Sequence, residues 1–299
     1  MGDRFLRRAW TTLLRRGRNR TSDLPDGVIL LGLVLLGVGA GAYGTLIGAG
    51  GGFLLTPILL LVYPDKAPEM ITAVALCAVF FNAASGSMAY ARQKRIDYLV
   101  ALTFAATEVP GAMIGALTTG IIPRSLFEAA FGAMLLMVAL VMLRRPGTPI
   151  LTGGNRRWTL RRLHTDAHDD TYSYGFNPLL GMAIGLLIGF ISSTFGVGGG
   201  FIYVPAMVLL MRFPAYIATA TSTFALMFAA AGATGVHAIE GNYAGQVPET
   251  VALTVGVVIG AQVGARVSER LAGQQVIIAR LLSAALLIVG VRLMVGLVV

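Results

Sequence analysis

Two glycine-rich segments have the residue pattern of a binding site for a small anion. They read Gly48-Ala-Gly-Gly-Gly-Phe-Leu-Leu-Thr-Pro57 and Gly196-Val-Gly-Gly-Gly-Phe-Ile-Tyr-Val-Pro205. Each glycine weakens an α-helix by about 1 kcal/mol relative to alanine, so each triplet predicts an opening in a helix. The apolar segment after it begins a new helix, whose free N–H groups and positive dipole end attract anions. The predicted binding residues are Gly50, Gly51, Gly52 and Phe53, and Gly198, Gly199, Gly200 and Phe201.

Neutral polar side chains near the triplets add hydrogen-bond donors for such an anion. They are Thr45, Asn82, Ser193, Thr194, Thr221 and Ser222. These groups can bond neighbouring helices instead, and glycine runs can serve close helix packing. Because the triplet occurs twice with the same Phe and Pro, we favour binding over packing.

Glu108 is an acid near the middle of an apolar stretch, residues 98–119. An acid inside a membrane is by default a functional candidate, and we predict a role in proton coupling. The alternative is a protonated, hydrogen-bonded glutamic acid that only packs. The matching position in the second half of the chain is about Val257, so the two halves do not share this acid.

Long apolar blocks position these residues. The 299 residues are 56% hydrophobic and only 12% charged, against about 25% charged in a soluble domain, which excludes a water-soluble globular protein. Blocks long enough to span a membrane as helices lie at residues 28–47, 69–91, 98–119, 125–143, 178–195, 215–238, 247–267 and 276–297. Shorter blocks at residues 53–62 and 201–211 predict half-helices. The fold class is therefore an all-α polytopic membrane protein.

The chain also resembles itself. The two glycine-rich segments lie 148 residues apart, and Pro110-Gly-Ala-Met-Ile-Gly115 matches Ile259-Gly-Ala-Gln-Val-Gly264 at nearly the same offset. We predict two homologous four-span halves, residues 27–143 and 178–299, each with a glycine-broken first helix and a half-helix. We expect each span and its half-helix to make a single net crossing, which gives eight net crossings with both ends inside and makes the halves parallel. Five crossings in each half, which we disfavour, would make the halves inverted.

Basic residues indicate orientation and partners. The formal net charge is +9, and arginines cluster in residues 1–26, around residues 92–95 and in residues 144–177. The positive-inside bias predicts a basic amphipathic cytoplasmic arm (1–26), which contacts anionic lipid headgroups, and a polar cytoplasmic linker (144–177). Nucleic acid is not an expected partner, and the sequence allows a homodimer. No cofactor is expected, since no ATP-binding P-loop of the Walker type is present.

The sequence also allows three other interpretations. An intramembrane serine hydrolase would use Ser192 or Ser193 with His237, but no nucleophile elbow frames either serine. A cation or metal carrier would need charged ligands within the spans, where only Glu108 clearly offers one. In the linker, His164 and His168 could ligate a metal if helical, but a solvated loop is favoured.

The pattern Gly-x-Gly-Gly-Gly-x-x-x-x-Pro, once in each half, resembles the TauE/SafE sulfite exporter family over residues 27–299 apart from the linker. The second copy, Ser192 to Pro205, is followed by Ala220-Thr-Ser-Thr223, as in that family. The first copy departs from it at Ala73-Val-Ala-Leu76. The resemblance implies a secondary transporter, not an enzyme, that exports sulfite, sulfoacetate or related organosulfonates across the bacterial inner membrane. We expect alternating access driven by the membrane potential, a proton gradient or both.

Overall fold

The computed structural model describes residues 26–144, 160–211, 213–270 and 275–298. The predicted arm, residues 1–26, lies outside the described residues except for Asp26, and so does much of the linker. The described part of the chain forms ten helices and a two-stranded hairpin. In chain order they are α1 (Asp26–Ile47), α2 (Gly52–Val62), α3 (Pro68–Arg92), α4 (Tyr98–Thr119), α5 (Arg124–Arg144), β1 (Leu160–Thr165), β2 (Thr171–Phe176), α6 (Pro178–Thr194), α7 (Gly200–Met211), α8 (Ala215–Ile239), α9 (Val247–Arg270) and α10 (Gln275–Val298).

Six of these helices are long and apolar enough to cross a membrane: α1, α3, α4, α5, α8 and α9. Helices α2, α6 and α7 are apolar but shorter, and in α10 the apolar segment that qualifies is Leu286–Val295. Large apolar side chains such as Leu31, Leu35 and Met137 are mostly exposed on the outside of the bundle. Such side chains suit contact with lipid, and the chain is a multi-pass membrane protein.

Helices α1, α3 and α9 run side by side in the same direction. Contacts advance together along the paired helices: Val34 with Gly256 and Ala42 with Gly264 for α1 and α9, and Ser85 with Gln262 and Gln93 with Glu269 for α3 and α9. All three begin at the end of the bundle that carries Lys66, here called the Lys66 end. They finish at the opposite end, here called the Arg95 end, which also carries the hairpin.

The chain reverses direction between α1 and α2. Gly51, just before α2, packs back against Ala40 and Gly44 of α1. Helix α2 then returns to the Lys66 end, where Arg124 at the start of α5 donates from Nη2 to the carbonyl of Leu60 at 2.8 Å. The expectation that α1 and α2 together make a single net crossing is therefore wrong.

Helices α6 and α7 make the same reversal from the opposite end. Helix α6 runs parallel to α4, because Gly181 lies against Phe104 and Gly189 against Glu108. After α7 the chain is back at the hairpin, where the rings of Phe213 and Tyr174 lie 4.2 Å apart. One helix pair thus enters the bundle from the Lys66 end and the other from the Arg95 end.

This reversal changes the expected orientation of the polar segments. Three helices, α3, α4 and α5, cross between the start of α1 and the hairpin, so Asp26 and the hairpin lie at opposite ends of the bundle. One membrane face cannot hold both the end of the arm and the described part of the linker. The parallel arrangement expected from four net crossings fails for the same reason, since α1–α2 and α6–α7 point in opposite directions.

Long helices from the two parts of the chain interlock. Helix α1 packs along α9, α6 along α4, α3 along α8, and α5 along α10. Small residues allow the first two contacts, because Gly37, Gly111 and Gly256 each face main-chain atoms of the neighbouring helix. The bundle therefore cannot be separated into two independent domains.

Part of the linker is a β-hairpin, which is the described exception to the all-α prediction. Strands β1 and β2 pair antiparallel, from Leu160 opposite Phe176 to Thr165 opposite Thr171. The main-chain N–H of Ala167 donates to the carbonyl of Gln93, which joins the turn to the α3–α4 connection. The segment from His164 to Asp170, expected to be a solvated loop, is a mostly exposed turn at residues 166–170, while His164 belongs to β1.

Candidate functional site

Both predicted helix openings are present. The first break, residues 48–51, separates α1 from α2, and the second, residues 195–199, separates α6 from α7. Gly48, Gly50 and Gly51 have φ of 76°, 73° and 77°, and Gly196 and Gly198 have 66° and 77°. Glycine adopts this left-handed backbone without the steric cost that other residues carry, which explains its use there.

The two breaks touch each other through their main chains. A Cβ atom on Gly52 would collide with the carbonyl oxygen of Val197, and one on Gly200 would collide with that of Gly48. Thr56 of α2 donates its hydroxyl to the carbonyl of Gly196 at 2.7 Å. Residues about 150 positions apart in the chain therefore meet inside the bundle.

The starts of α2 and α7 converge at this contact. In α2 the N–H groups of Leu54 and Leu55 donate to the carbonyl of Gly51, and in α7 those of Ile202 and Tyr203 donate to that of Gly199. The N–H groups before them have no acceptor within their own helix. Two positive helix ends thus face each other where an anion would be stabilised. Phe53 and Phe201 follow the breaks, and both side chains belong to the apolar core.

Two apolar side chains lie against both breaks. Val79 and Leu226 lie near the midpoints of α3 and α8, and both are buried. A Cβ on Gly50 would lie 2.7 Å from Leu226 Cδ2 and 3.0 Å from Val79 Cγ1, and one on Gly198 would lie 2.7 Å from Val79 Cγ1. We call Val79 and Leu226 the plug. Methyl groups therefore cover Gly50 and Gly198 in this conformation.

Glu108 lies beside the second break. Its side chain is fully buried, and neither carboxyl oxygen has a hydrogen-bond partner among the residues that the structure describes. Its Oε1 lies 2.6 Å from the position a Cβ on Gly199 would take. The hydroxyl of Tyr203 on α7 also lacks a partner. The structure therefore brings together the acid and the second glycine triplet, which the sequence treats as separate candidates.

An amide, Asn82 of α3, lies near the first break. Thr45 Oγ1 donates to Asn82 Oδ1 at 3.1 Å, and Asn82 Nδ2 donates to the carbonyls of Gly41 and Val257 at 3.0 and 3.3 Å. Both predicted residues lie close to the break. Their hydrogen bonds are made within the protein, which is the helix-bonding alternative.

Other predicted donors are engaged elsewhere. Thr194 donates to the carbonyl of Phe190 at 2.8 Å, and Ser222 to that of Thr219 at 3.1 Å. Thr221 accepts from the main-chain N–H of Asp97 at the Arg95 end. Ser193 is buried in the last turn of α6, next to Thr194.

A charged network at the Arg95 end was missed by sequence reasoning. Asp97, which caps α4, is nearly fully buried and accepts from Arg162 of β1 at 2.9 and 3.1 Å and from the Tyr174 hydroxyl of β2 at 2.8 Å. Burial alone would raise the pKa of Asp97, but the hydrogen bonds from Arg162, Tyr174 and the N–H of Val100 hold it below its usual value. This network fixes the hairpin to the start of α4.

Arg95 is a second buried charge at that end. Its Nη2 donates to the carbonyl of Tyr216 at 2.8 Å and to Ser268 Oγ at 3.2 Å, and its guanidinium lies 3.6 Å from the ring centroid of Tyr216. The ring of Tyr90 lies on the guanidinium as well, and the Tyr90 hydroxyl donates to the carbonyl of Thr45. Arg95 was interpreted only as an orientation signal, because nothing in the sequence pairs it with these aromatic residues.

The alternatives receive no geometric support. Among the described hydrogen bonds, Ser192 donates to Gly189 while His237 Nδ1 contacts Asn242, so none joins a serine to the histidine. In the hairpin, His164 lies in β1 and His168 in the turn, so the helical spacing needed for a shared metal is absent. No cluster of three or more metal-ligating side chains occurs in the described ranges.

Comparisons with known proteins agree with this architecture. Residues 33–293 match the family model described as Sulfite exporter TauE/SafE. The probable membrane transporter protein YunE of Bacillus subtilis (strain 168) is 33% identical over 217 residues, which is 70% of this chain and 78% of that protein. A probable membrane transporter protein of Xylella fastidiosa (strain 9a5c) is 29% identical over 181 residues, 60% of this chain and 63% of that protein.

A more distant relative is the probable membrane transporter protein MJ0441 of Methanocaldococcus jannaschii, 26% identical over 196 residues, 64% of this chain and 65% of that protein. The chain thus spans less than two thirds of this relative and of the Xylella protein. No solved structure matches significantly. The family match covers both breaks, Glu108 and all ten helices in whole or in part, and the chain belongs to the sulfite exporter TauE/SafE family.

Proposed function

We propose that this chain is a secondary transporter that exports small sulfur-containing anions, namely sulfite, sulfoacetate or related organosulfonates, by alternating access. The contact between the two breaks carries the proposal, because two helix N-termini meet there inside an apolar bundle. Family membership supports transport as the general activity. Main-chain N–H groups at residues 50–53 and 198–201 form the proposed anion seat, which needs no cofactor.

The plug, Val79 and Leu226, must move before an anion can bind. Val79 and Leu226 lie against Gly50 and Gly198, so an anion enters the seat only after α3 and α8 shift or these side chains change rotamer. Because α3 and α8 pack against each other across the centre, a small change in their contact exposes the seat to one end at a time. Alternating access then consists of opening one side of the plug while the other stays closed.

We further propose that the two parts of the chain are homologous, inverted halves. The order of a long helix, a short helix and three longer helices occurs twice. The pairing of α1 with α9 matches that of α6 with α4. Inverted repeats around broken helices are typical of secondary transporters with a site near the membrane centre.

Glu108 is the proposed proton-coupling residue, since it is the acid beside the seat. The membrane potential is a second energy source. A potential of 100 mV, negative inside, favours export of each negative charge by about 2.3 kcal/mol. We propose that the potential, the proton gradient or both drive export, and the direction in which the coupled proton moves decides the sign of the proton contribution.

Flux in proteoliposomes tests the proposed function. We expect saturable movement of radiolabelled sulfite or sulfoacetate in vesicles that contain the protein, with sulfate as a comparison. Gly199→Leu should abolish this flux while the protein still inserts, because the side chain would meet Glu108 Oε1 and Ile188. Empty vesicles are the control. Normal flux in the variant, or ester or peptide cleavage without any anion flux, would contradict the proposal.

A further inference from the structure

Glu108 is an acid without a partner in the described part of the protein. Both carboxyl oxygens are buried and make no hydrogen bond with the described residues. The neighbouring Tyr203 hydroxyl is also buried and without a hydrogen-bond partner there. Buried polar groups are nearly always hydrogen-bonded, so each exception calls for an explanation. A carboxyl group that binds a partner only during part of a transport cycle is such an explanation.

The carboxyl group is directed at the start of α7. Its Oε1 lies against Gly199, the residue before the first helical position, 2.6 Å from the position that a Cβ would take. An ionised carboxylate is stabilised at a helix N-terminus by the same N–H groups and dipole that stabilise a free anion. Glu108 is therefore positioned to take the place of the substrate in the α7 part of the seat.

Few charges lie on the helices around Glu108. Helix α6 contains no ionisable side chain, and α7 contains only Tyr203. In α8, which also packs on α4, the ionisable residues are Tyr216 and His237, in the first and last turns. In α3, which lies nearby, Glu69 and Arg92 occupy the ends, with Tyr90 near one end and Cys77 elsewhere in the helix. No cation on these helices lies beside the carboxyl group to offset a second negative charge.

An ionised Glu108 and a bound anion therefore exclude each other. Like charges repel more strongly in an apolar interior than in water, because the local dielectric constant is lower. Protonation removes this repulsion, and it turns the carboxyl group into an O–H donor for the anion. Substrate binding at the seat then goes together with the uptake of one proton by Glu108.

We propose that the Glu108 carboxylate competes with the substrate for the α7 end of the seat, so that one proton crosses with each anion in the same direction. On one face the carboxylate gains a proton and the anion binds; on the other face both leave, which balances charge and atoms. The unloaded protein returns with Glu108 ionised. This inference rests on the proposed function and specifies its coupling.

The charge carried per cycle follows from this scheme. The loaded protein holds a neutral carboxylic acid and a monoanion, and the unloaded protein holds a carboxylate, so both carry the same charge through the membrane. A singly charged substrate therefore crosses without net charge movement. Export of such a substrate is therefore driven by its own concentration gradient. A pH gradient with the outside more acidic opposes it, and the membrane potential does not drive it.

Ethanesulfonate flux in proteoliposomes tests the competition, because this sulfonate stays singly charged from pH 5.5 to pH 8.5. For the wild type we expect one proton moved per anion, reported by an internal pH-sensitive dye. We expect the apparent affinity to fall by up to about tenfold per pH unit on the alkaline side of the Glu108 titration. An imposed potential of 100 mV should produce no accumulation.

Glu108→Gln should uncouple the proton. Its affinity should not depend on pH, and 100 mV should drive up to about 50-fold accumulation at equilibrium. Glu128→Gln is the matched control, since Glu128 pairs with Arg124 at the Lys66 end, and it should behave as the wild type.

Two results would overturn the inference alone: wild-type flux of ethanesulfonate with no accompanying proton, or wild-type accumulation driven by the potential. Both are measured on the wild type, so they remain decisive if the variant fails to fold. Absence of any anion flux by the wild type would instead overturn the proposed function, and the inference with it.

Discussion

Gly52 and Gly200 are required by the close approach of two main chains. An added methyl group would meet the carbonyl of Val197 in one case and that of Gly48 in the other. Neither neighbour is the end of a flexible side chain, so the collision can be relieved only by moving the backbone. Glycine at these two positions therefore sets the distance between the breaks.

Gly52→Ala should destabilise the protein by about 1–3 kcal/mol through overpacking, and it should reduce anion flux because the breaks are pushed apart. Thermal unfolding in detergent and flux in proteoliposomes measure the two effects. Gly120→Ala is the control, since nothing lies within 4 Å of the added atom there. Equal behaviour of the two variants would contradict the proposed role of the contact.

Residue types predicted some of the site but not how its parts meet. The triplets and Glu108 are recognisable in the sequence, because three glycines and a buried acid are each unfavourable in a membrane helix. That Glu108 reaches Gly199 depends on α4 packing along α6, which no local pattern specifies. Thr194 and Thr221 were predicted as ligand donors, but hydroxyl groups bond to whichever partner folding brings near.

For the short helices α2 and α7, the sequence predicts the length but not the direction. Their lengths follow from hydropathy, since α2 has 11 residues and α7 has 12. Their direction does not, because an apolar segment of half the membrane thickness can continue outward or turn back. The packing of Gly51 on Ala40 decides in favour of turning back. The hairpin was missed because its polar, alternating residues resemble a solvated loop.

The hairpin depends on the ionised state of Asp97. The pKa of Asp97 is lower in the folded protein than its usual value of about 3.9, so its stabilisation is present above that pH and is lost as the pH falls further. Asp97→Asn should lower the unfolding free energy at pH 7 by about 1–3 kcal/mol, because a buried charge pair with Arg162 is lost. The measurement is thermal unfolding in detergent from pH 7 to pH 3.

The difference between the wild type and Asp97→Asn should shrink below about pH 4. Asp65→Asn, at an exposed position, is the matched control and should leave stability unchanged at every pH. If the difference in stability between the wild type and Asp97→Asn stays constant down to pH 3, Asp97 stabilises the protein through packing and not through its charge.

At the scale of the whole molecule, the reversal at each break predicts the sidedness of the polar segments. Asp169, in the hairpin turn, and Ala244, between α8 and α9, are exposed at opposite ends. Single cysteines at these two positions, in a Cys77→Ser background, should react with an impermeant maleimide from opposite faces of the membrane. An N-terminal epitope tag should be accessible from the same face as the cysteine introduced by Ala244→Cys.

Right-side-out and inside-out vesicles separate the two faces in this experiment. Labelling of both cysteines from one face would contradict the helix directions described above. Accessibility of the tag from the hairpin face would restore the single-crossing arrangement that the arginine clusters suggested.

If α1–α5 and α6–α10 are inverted halves, as we propose, the opposite entry of α1–α2 and α6–α7 gives the two ends of the bundle corresponding helix pairs. One set of five helices is α1–α5 and the other is α6–α10. If each set adopts the conformation that the other has now, the assembly is inverted across the membrane while each helix keeps its neighbours. The inward-open and outward-open states are then related by symmetry, because one is obtained from the other when the two sets of helices exchange conformations. The small differences between the two sets, such as Glu108 in α4 against about Val257 at the matching position of α9, would then decide which of the two states the empty protein prefers.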